Sequence, residues 1–295
     1  MGRMDLFGGK GWKVFFRKLY EKFNATDVMS RAAQIAFYFS FAFFPLLFFL
    51  VTLFGIVLNS KENLQAELYT YLAQILPGSA FELVQKTLDE IVAASSGGKL
   101  TIGLFVTLWS ASAGVDSIRG ALNAVYQLTE TRSWWSTKLQ SLILTLGFIV
   151  LLAVVLGGVA AGWQLVHLAF GSIGLEVSSP WLLVSIQWIS LIAVMLVATG
   201  IIYSWVPCFK EFKWVWISPG AVVAILLWMI LSAGFRTYLH YFNTYNKAYG
   251  SLGAVIILML WMYLTGLAIL MGGAINSVMT EMTEAEHADS QSKLI

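Results

Sequence analysis

The sequence predicts an all-α polytopic membrane protein with six transmembrane helices. Three observations carry that prediction: 58% hydrophobic residues, only 12% charged residues, and charges that are bunched along the chain. Soluble domains hold roughly 45–50% apolar and about 25% charged residues. Here the stretches 32–60, 139–175, 177–209, 214–235 and 248–280 contain no Asp, Glu, Lys or Arg. Each exceeds the ~20 residues that cross about 30 Å of hydrocarbon at 1.5 Å per residue. A cytosolic enzyme, a disordered chain and a secreted disulfide scaffold are all excluded. Cys208 is the single cysteine, so no intrachain disulfide can form.

Taken in order, residues 1–31 form a cytoplasmic N-terminal segment. In its stretch 10–23, Trp12, Phe15, Phe16, Leu19, Tyr20 and Phe23 recur at three- and four-residue spacing, with Lys13, Arg17, Lys18 and Lys22 between them. That pattern predicts an amphipathic interfacial helix, either recognising lipid or anchoring the chain by its charge. The six-helix domain spans 32–279. Its first span is 33–58, where Pro45 removes a helical N–H and is expected to kink or break the helix. Residues 61–96 split at Pro77-Gly78 into two amphipathic patterns, a helical hairpin in the first outer connection that acts as a cap or a lid. The second span, 100–125, carries Asp116 and Arg119 inside it. Further spans follow at 140–168, 181–206, 214–239 and 252–279. The remainder, 280–295, is an acidic cytoplasmic tail expected to fray. With both termini inside, 13 of the 18 Lys and Arg residues fall on the inner side and five on the outer, the bias that orients inner-membrane proteins.

No catalytic constellation emerges. His167, His240 and His287 are scattered, and there is no HExxH, GxSxG or phosphate-binding glycine loop. Ser110 and Ser112 have no base near them in the sequence. No catalytic, cofactor or metal site is expected, and the chain does not read as an enzyme. The candidates are polar residues at membrane depth, where ionisable groups face protein or water. Asp116 and Arg119, three apart, share one helix face. Asn123 and Asn276 sit at matching places in ALNAVY and AINSVM. These four either line a cavity or substrate path, or make an intrahelical pair and ordinary interhelical hydrogen bonds. Arg236 and Tyr249 mark an outer rim or an aromatic belt with a snorkelling cation.

Three runs carry a resemblance to a known family: RAAQIAFYFSFAFFPLLFF (31–49), WSASAGVDSIRGALNAVY (109–126) and YGSLGAVIILMLWMYLTGLAILMGGAIN (249–276). Together they resemble the YihY/BrkB family of bacterial inner-membrane proteins over roughly residues 10–280. The family's motif positions fall on Arg31, Tyr38, Pro45, Trp109, Arg119, Asn123, Tyr249, Gly250, Trp261, Gly272 and Asn276. The resemblance implies six spans with cytoplasmic termini, and a role in moving lipid or lipopolysaccharide. Some members carry a ribonuclease BN label, which neither a metal-ligand cluster nor a basic soluble domain supports in this sequence.

The expected function is therefore that of an inner-membrane transporter or handler of lipid and envelope components. Its partners would be membrane lipids, anionic lipid or lipopolysaccharide among them, and not nucleic acid; a homo-oligomer is compatible. A non-transporting scaffold for envelope-assembly partners is the alternative.

Overall fold

The computed structural model describes residues 9–58, 70, 97–160, 180–209, 217–241 and 251–292. Among these the regular structure is entirely helical. The helices are α1 (Gly9–Ala25), α2 (Val28–Leu58), α3 (Gly97–Val125), α4 (Trp134–Ala160), α5 (Pro180–Trp205), α6 (Pro219–Tyr241) and α7 (Ser251–Ser292).

Local chemistry sets the helix ends. The turn between α1 and α2 pivots on Asp27, in the left-handed region at φ 52°. At the end of α3, Gln127 adopts φ 55°. There the Leu128 N–H reaches the Asn123 carbonyl at 2.7 Å and the Gln127 N–H reaches that of Ala124 at 3.1 Å. That pair of bonds is a Schellman cap, which satisfies carbonyls the helix leaves open. Ser133 precedes α4 and accepts the Ser136 N–H at 3.4 Å. Ser218 caps α6, accepting the Ala221 N–H at 3.1 Å, and Pro219 occupies the first helical position, where its missing N–H costs nothing.

α2 packs against α3 and α7, α7 against α6, α4 against α3, and α1 lies along α7. Ile35, Leu122, Val125, Leu270, Ala274 and Val278 form the centre of the core. Small residues set the closest approaches. A Cβ on Gly220 would meet the Gly272 carbonyl oxygen, and one on Gly272 would meet the Tyr203 hydroxyl and the Gly220 carbonyl. A Cβ on Gly266 would press on Ile35 Cγ2 at 3.2 Å. The backbones of α6 and α7 therefore cross nearly in contact. Tyr203 on α5 fastens the same region by donating to the Ile269 carbonyl at 2.7 Å.

Large apolar side chains cover the outside of the bundle, with Phe41 70% and Ile230 67% exposed. Water would not tolerate so much of this surface; lipid does. Among the described residues four stretches are long and apolar enough to cross a membrane: Trp134–Val155, Trp188–Trp205, Pro219–Leu239 and Val255–Glu286.

The sequence reading and the helices differ most at four ends. α2 begins at Val28 rather than 33. α4 begins at Trp134 rather than at 140, because Ser133 supplies a cap. α6 begins at Pro219 rather than 214, behind the Ser218 cap. α7 runs to Ser292 instead of fraying at 280, and its added turns are tied to α1, where Lys22 ion-pairs with Glu281. α2 continues through Pro45 as one unbroken helix. Apart from residue 70, the hairpin predicted at 61–96 lies outside the described residues, as does Tyr249.

Candidate functional site

Helix direction alternates, so the ends of α1, α3 and α5, the starts of α2, α4 and α6, and the late turns of α7 meet at one end of the bundle. Most buried polar side chains are gathered there, in three knots. We call it the basic end.

The first knot joins α3 to α4. Asp116 Oδ1 accepts from Arg119 Nη2 at 2.6 Å and from Ser141 Oγ at 2.5 Å; its Oδ2 accepts from Lys138 Nζ at 3.0 Å. Arg119 Nη1 donates to Ser141 Oγ at 2.7 Å and to the Thr137 carbonyl at 2.8 Å. Lys138 is only 8% exposed. Its ammonium donates to Ser112 Oγ at 2.6 Å and lies 4.7 Å from the centre of the Trp109 ring. A buried cation is costly unless it is paired and hydrogen-bonded, and Lys138 is both. The spacing explains the geometry: Asp116 and Arg119 are three apart on α3, and Lys138 and Ser141 are three apart on α4, so each pair shares a face.

Ser112 thus does have an amine beside it, from a helix that begins 22 residues further along. The arrangement is nevertheless not that of a nucleophile and its base. Lys138 is ion-paired with Asp116 and donates to Ser112, and Ser112 is fully buried. A nucleophilic serine needs an amine free to accept its proton.

The second knot sits in the α3–α4 loop. Glu130 and Arg132 form a two-pronged pair, Nε to Oε1 at 2.7 Å and Nη2 to Oε2 at 2.7 Å. Arg119 Nε lies 3.8 Å from Glu130 Oε2, linking this knot to the first. Asn123 bridges: its Nδ2 donates to Glu130 at 3.0 Å and its Oδ1 accepts the Cys208 N–H at 2.8 Å. Arg132 also reaches Gln140 Oε1 at 2.7 Å and the Val206 carbonyl at 3.2 Å. The loop is thereby tied to the end of α5.

The hydrogen bonds from Arg132 hold the Glu130 carboxyl at about 2, from an ordinary 4.5. A depressed carboxylate stabilises the fold fully above its unfolded value, and that contribution is lost as pH falls through the folded value. The Glu130 contribution is therefore complete above about pH 4.5 and drains away toward pH 2. Thermal melts of wild type and Glu130→Gln in detergent are expected to differ at pH 6 and to converge as pH approaches 2. Parallel curves across that window would contradict it.

The third knot belongs to α7. Asn276 Oδ1 accepts the Gly220 N–H at 2.8 Å and its Nδ2 donates to Ser218 Oγ at 2.9 Å. Beside it, at the end of α3, burial pushes the Tyr126 phenol up to about 12. One turn of chain away, Lys22 on α1 donates to Ser277 Oγ at 2.5 Å and to Glu281.

Of the residues singled out in the sequence, Asp116, Arg119 and Asn123 are brought into one network. Asn276 sits in a separate knot that staples α7 to the start of α6. Arg236 is exposed toward the other end of α6. Sequence reasoning missed Lys22, Ser112, Glu130, Arg132, Lys138 and Ser141. Lys138 and Ser141 repeat on α4 the three-residue spacing of Asp116 and Arg119, but that spacing does not say which helix they face.

Together these features define a polytopic α-helical membrane protein whose polar groups are concentrated at one end of the bundle. The chain belongs to the family described as Virulence factor BrkB, whose pattern it matches over residues 19–294. It is similar to a protein from Bacillus subtilis (strain 168) named as ribonuclease-like protein YfkH, 31% identical over 267 residues, covering 90% of this chain and 94% of that one. No solved structure matches it.

Proposed function

We propose that this protein handles an anionic lipid or related envelope component in the bacterial inner membrane, moving it between leaflets or out of the bilayer. On this reading α2 and α3 supply the first two of six spans, and both termini are cytoplasmic. The supporting observation is the charge where α3 meets α4, Arg119 and Lys138 against Asp116, joined to Arg132 and Glu130 of the adjoining loop in one network. Ionisable groups on helices that enter a bilayer are costly and mark pathways or switches. The Asp116 side chain is 28% exposed, and Trp134 and Trp135, whose rings favour the membrane–water interface, stand exposed one turn from Lys138.

The network then acts as an inner gate in its closed state. Its hydrogen bonds lie close enough to water to be exchanged for hydration when the helix ends part, which a network at the bilayer centre could not do. Pro45 gives α2 a point of flexure, and Arg236 and Tyr249 border the outer exit. Purified protein in liposomes is expected to redistribute labelled phosphatidylglycerol faster than empty vesicles, and Asp116→Asn to alter that rate at equal folded protein. Rates equal to empty vesicles across a range of lipids overturn the proposal.

One observation favours a second reading, a scaffold for envelope-assembly partners. Asp116, Arg119, Asn123 and Asn276 all direct their hydrogen bonds to protein groups. A scaffold requires only that the knots hold the fold. It predicts full cellular function for any variant of these residues that still accumulates folded in the membrane.

A further inference from the structure

α2 enters the bundle with Ala32, Ile35 and Ala36 buried. Its opposite face is bare. There Ser30, Ala33, Gln34, Phe37 and Tyr38 line an open groove of about 580 Å³, and Phe41 continues it one turn further. Gln34 and Tyr38 have no hydrogen-bond partner among the described residues. A side-chain amide on a membrane-entering helix is costly unless something satisfies it. Gln34 lies about 9 Å along α2 from Val28, and Tyr38 about 15 Å. The groove therefore has a polar mouth at headgroup depth and an aromatic floor at acyl depth.

Charge sits at the mouth. Arg31 donates its Nε to the Thr26 carbonyl at 2.8 Å, which fixes the base of the guanidinium at the α1–α2 turn. Its two Nη groups have no partner among the described residues. Asp27, one turn away, is exposed and forms no ion pair with it, and Lys22 points inward to Ser277 and Glu281. Among the described residues, the mouth thus carries a cation with no anion paired to it. A second copy of the chain docked two-fold on this face would set Arg31 against Arg31, a like-charge approach that opposes association. An anionic lipid meets the same charge favourably.

We propose that the outer face of the first turns of α2 binds one anionic glycerophospholipid. The phosphate engages Arg31 and Ser30, the ester carbonyls take hydrogen bonds from Gln34 and Tyr38, and an acyl chain lies along Phe37 and Phe41. The site rests on the membrane orientation of α2 given above, and it does not require that the protein move lipid.

The test is native mass spectrometry on the delipidated full chain in detergent, titrated with phosphatidylglycerol or phosphatidylcholine. Wild type is expected to retain one phosphatidylglycerol well above phosphatidylcholine. Arg31→Ala removes the charge but also the brace on the α1–α2 turn, so Gln34→Leu with Tyr38→Phe is the second variant. It should keep the wild-type melting profile and lower phosphatidylglycerol retention about fivefold or more, as loss of such hydrogen bonds implies. Ile230→Leu, on the lipid face of α6, should change nothing. Equal retention of both lipids, or equal retention by the double variant, overturns the site. So does disulfide-linked dimer from Gln34→Cys, which would put a second copy on this face. Phosphatidylglycerol bound without liposome flux would sink lipid transport and leave the site standing; flux without selective binding would do the reverse.

Discussion

Replacing Gly220 with alanine is expected to destabilise the protein by about 3 kcal/mol or more, at the far end of what overpacking costs. The new Cβ would land on the Gly272 carbonyl oxygen, with Asn276 Cγ 2.6 Å away. Backbone cannot rotate aside as a side chain can. The α6–α7 crossing must open, and that breaks the Asn276 bonds to Gly220 and Ser218. Gly272→Ala meets the same obstacle from the other side, with Ala224 Cβ at 2.7 Å added to the Tyr203 hydroxyl and the Gly220 carbonyl. Gly234→Ala is the control: nothing lies within 4 Å of its Cβ position, and alanine in a helix is favoured by up to about 1 kcal/mol. Thermal unfolding in detergent should therefore drop by several degrees for the first two variants and hold or rise for the third. A Gly220→Ala protein that melts like wild type would refute the tight crossing.

Asp116→Ala is expected to cost about 3 kcal/mol, the lower part of the range for breaking a buried pair, since its carboxylate keeps partial contact with water. The loss arises less from the missing bonds than from Lys138, left buried without a counter-charge, while Arg119 keeps only Glu130 at 3.8 Å. Removing the second charge as well should restore much of it. Asp116→Asn with Lys138→Met is expected to be more stable than the sum of the two single changes by at least 1 kcal/mol, the signature of direct coupling. Simple additivity would show that the two do not share one network. The same arithmetic bears on function: reduced activity of Asp116→Ala means nothing until it is compared at equal amounts of folded protein.

Much of the architecture was legible because the membrane imposes a length. A run such as 177–209 without a charge can be little else than a spanning helix, and α5 occupies most of it, from Pro180 to Trp205. Ends were harder, since they depend on single hydroxyls: Ser133 and Ser218 each moved a start by several residues. Within the polar network, Asp116 and Arg119 were visible because their pairing is local. Lys138 looked like an ordinary positive charge beside Trp134 and Trp135. What turns it inward is the proximity of α4 to α3, a tertiary fact that no spacing within one helix encodes. Asn276 was noticed for its likeness to Asn123. That likeness does not name its partner: Gly220, with no side chain, lets the α6 backbone come to it.

The bond from Lys22 to Ser277 and Glu281 closes a circuit across almost the whole polypeptide, and that has a consequence for biosynthesis. A ribosome adding roughly 5–20 residues per second needs some tens of seconds between making Lys22 and making its partners. Throughout that interval the inward side of α1, with Phe15, Leu19 and Phe23, has no α7 to meet. A helix in that position needs a provisional resting place, and α1 carries apolar rings on its other side too, at Trp12, Phe16 and Tyr20. The segment can therefore lie on the bilayer from the moment it emerges. Its clamp onto Ser277 and Glu281 can form only once α7 has been made.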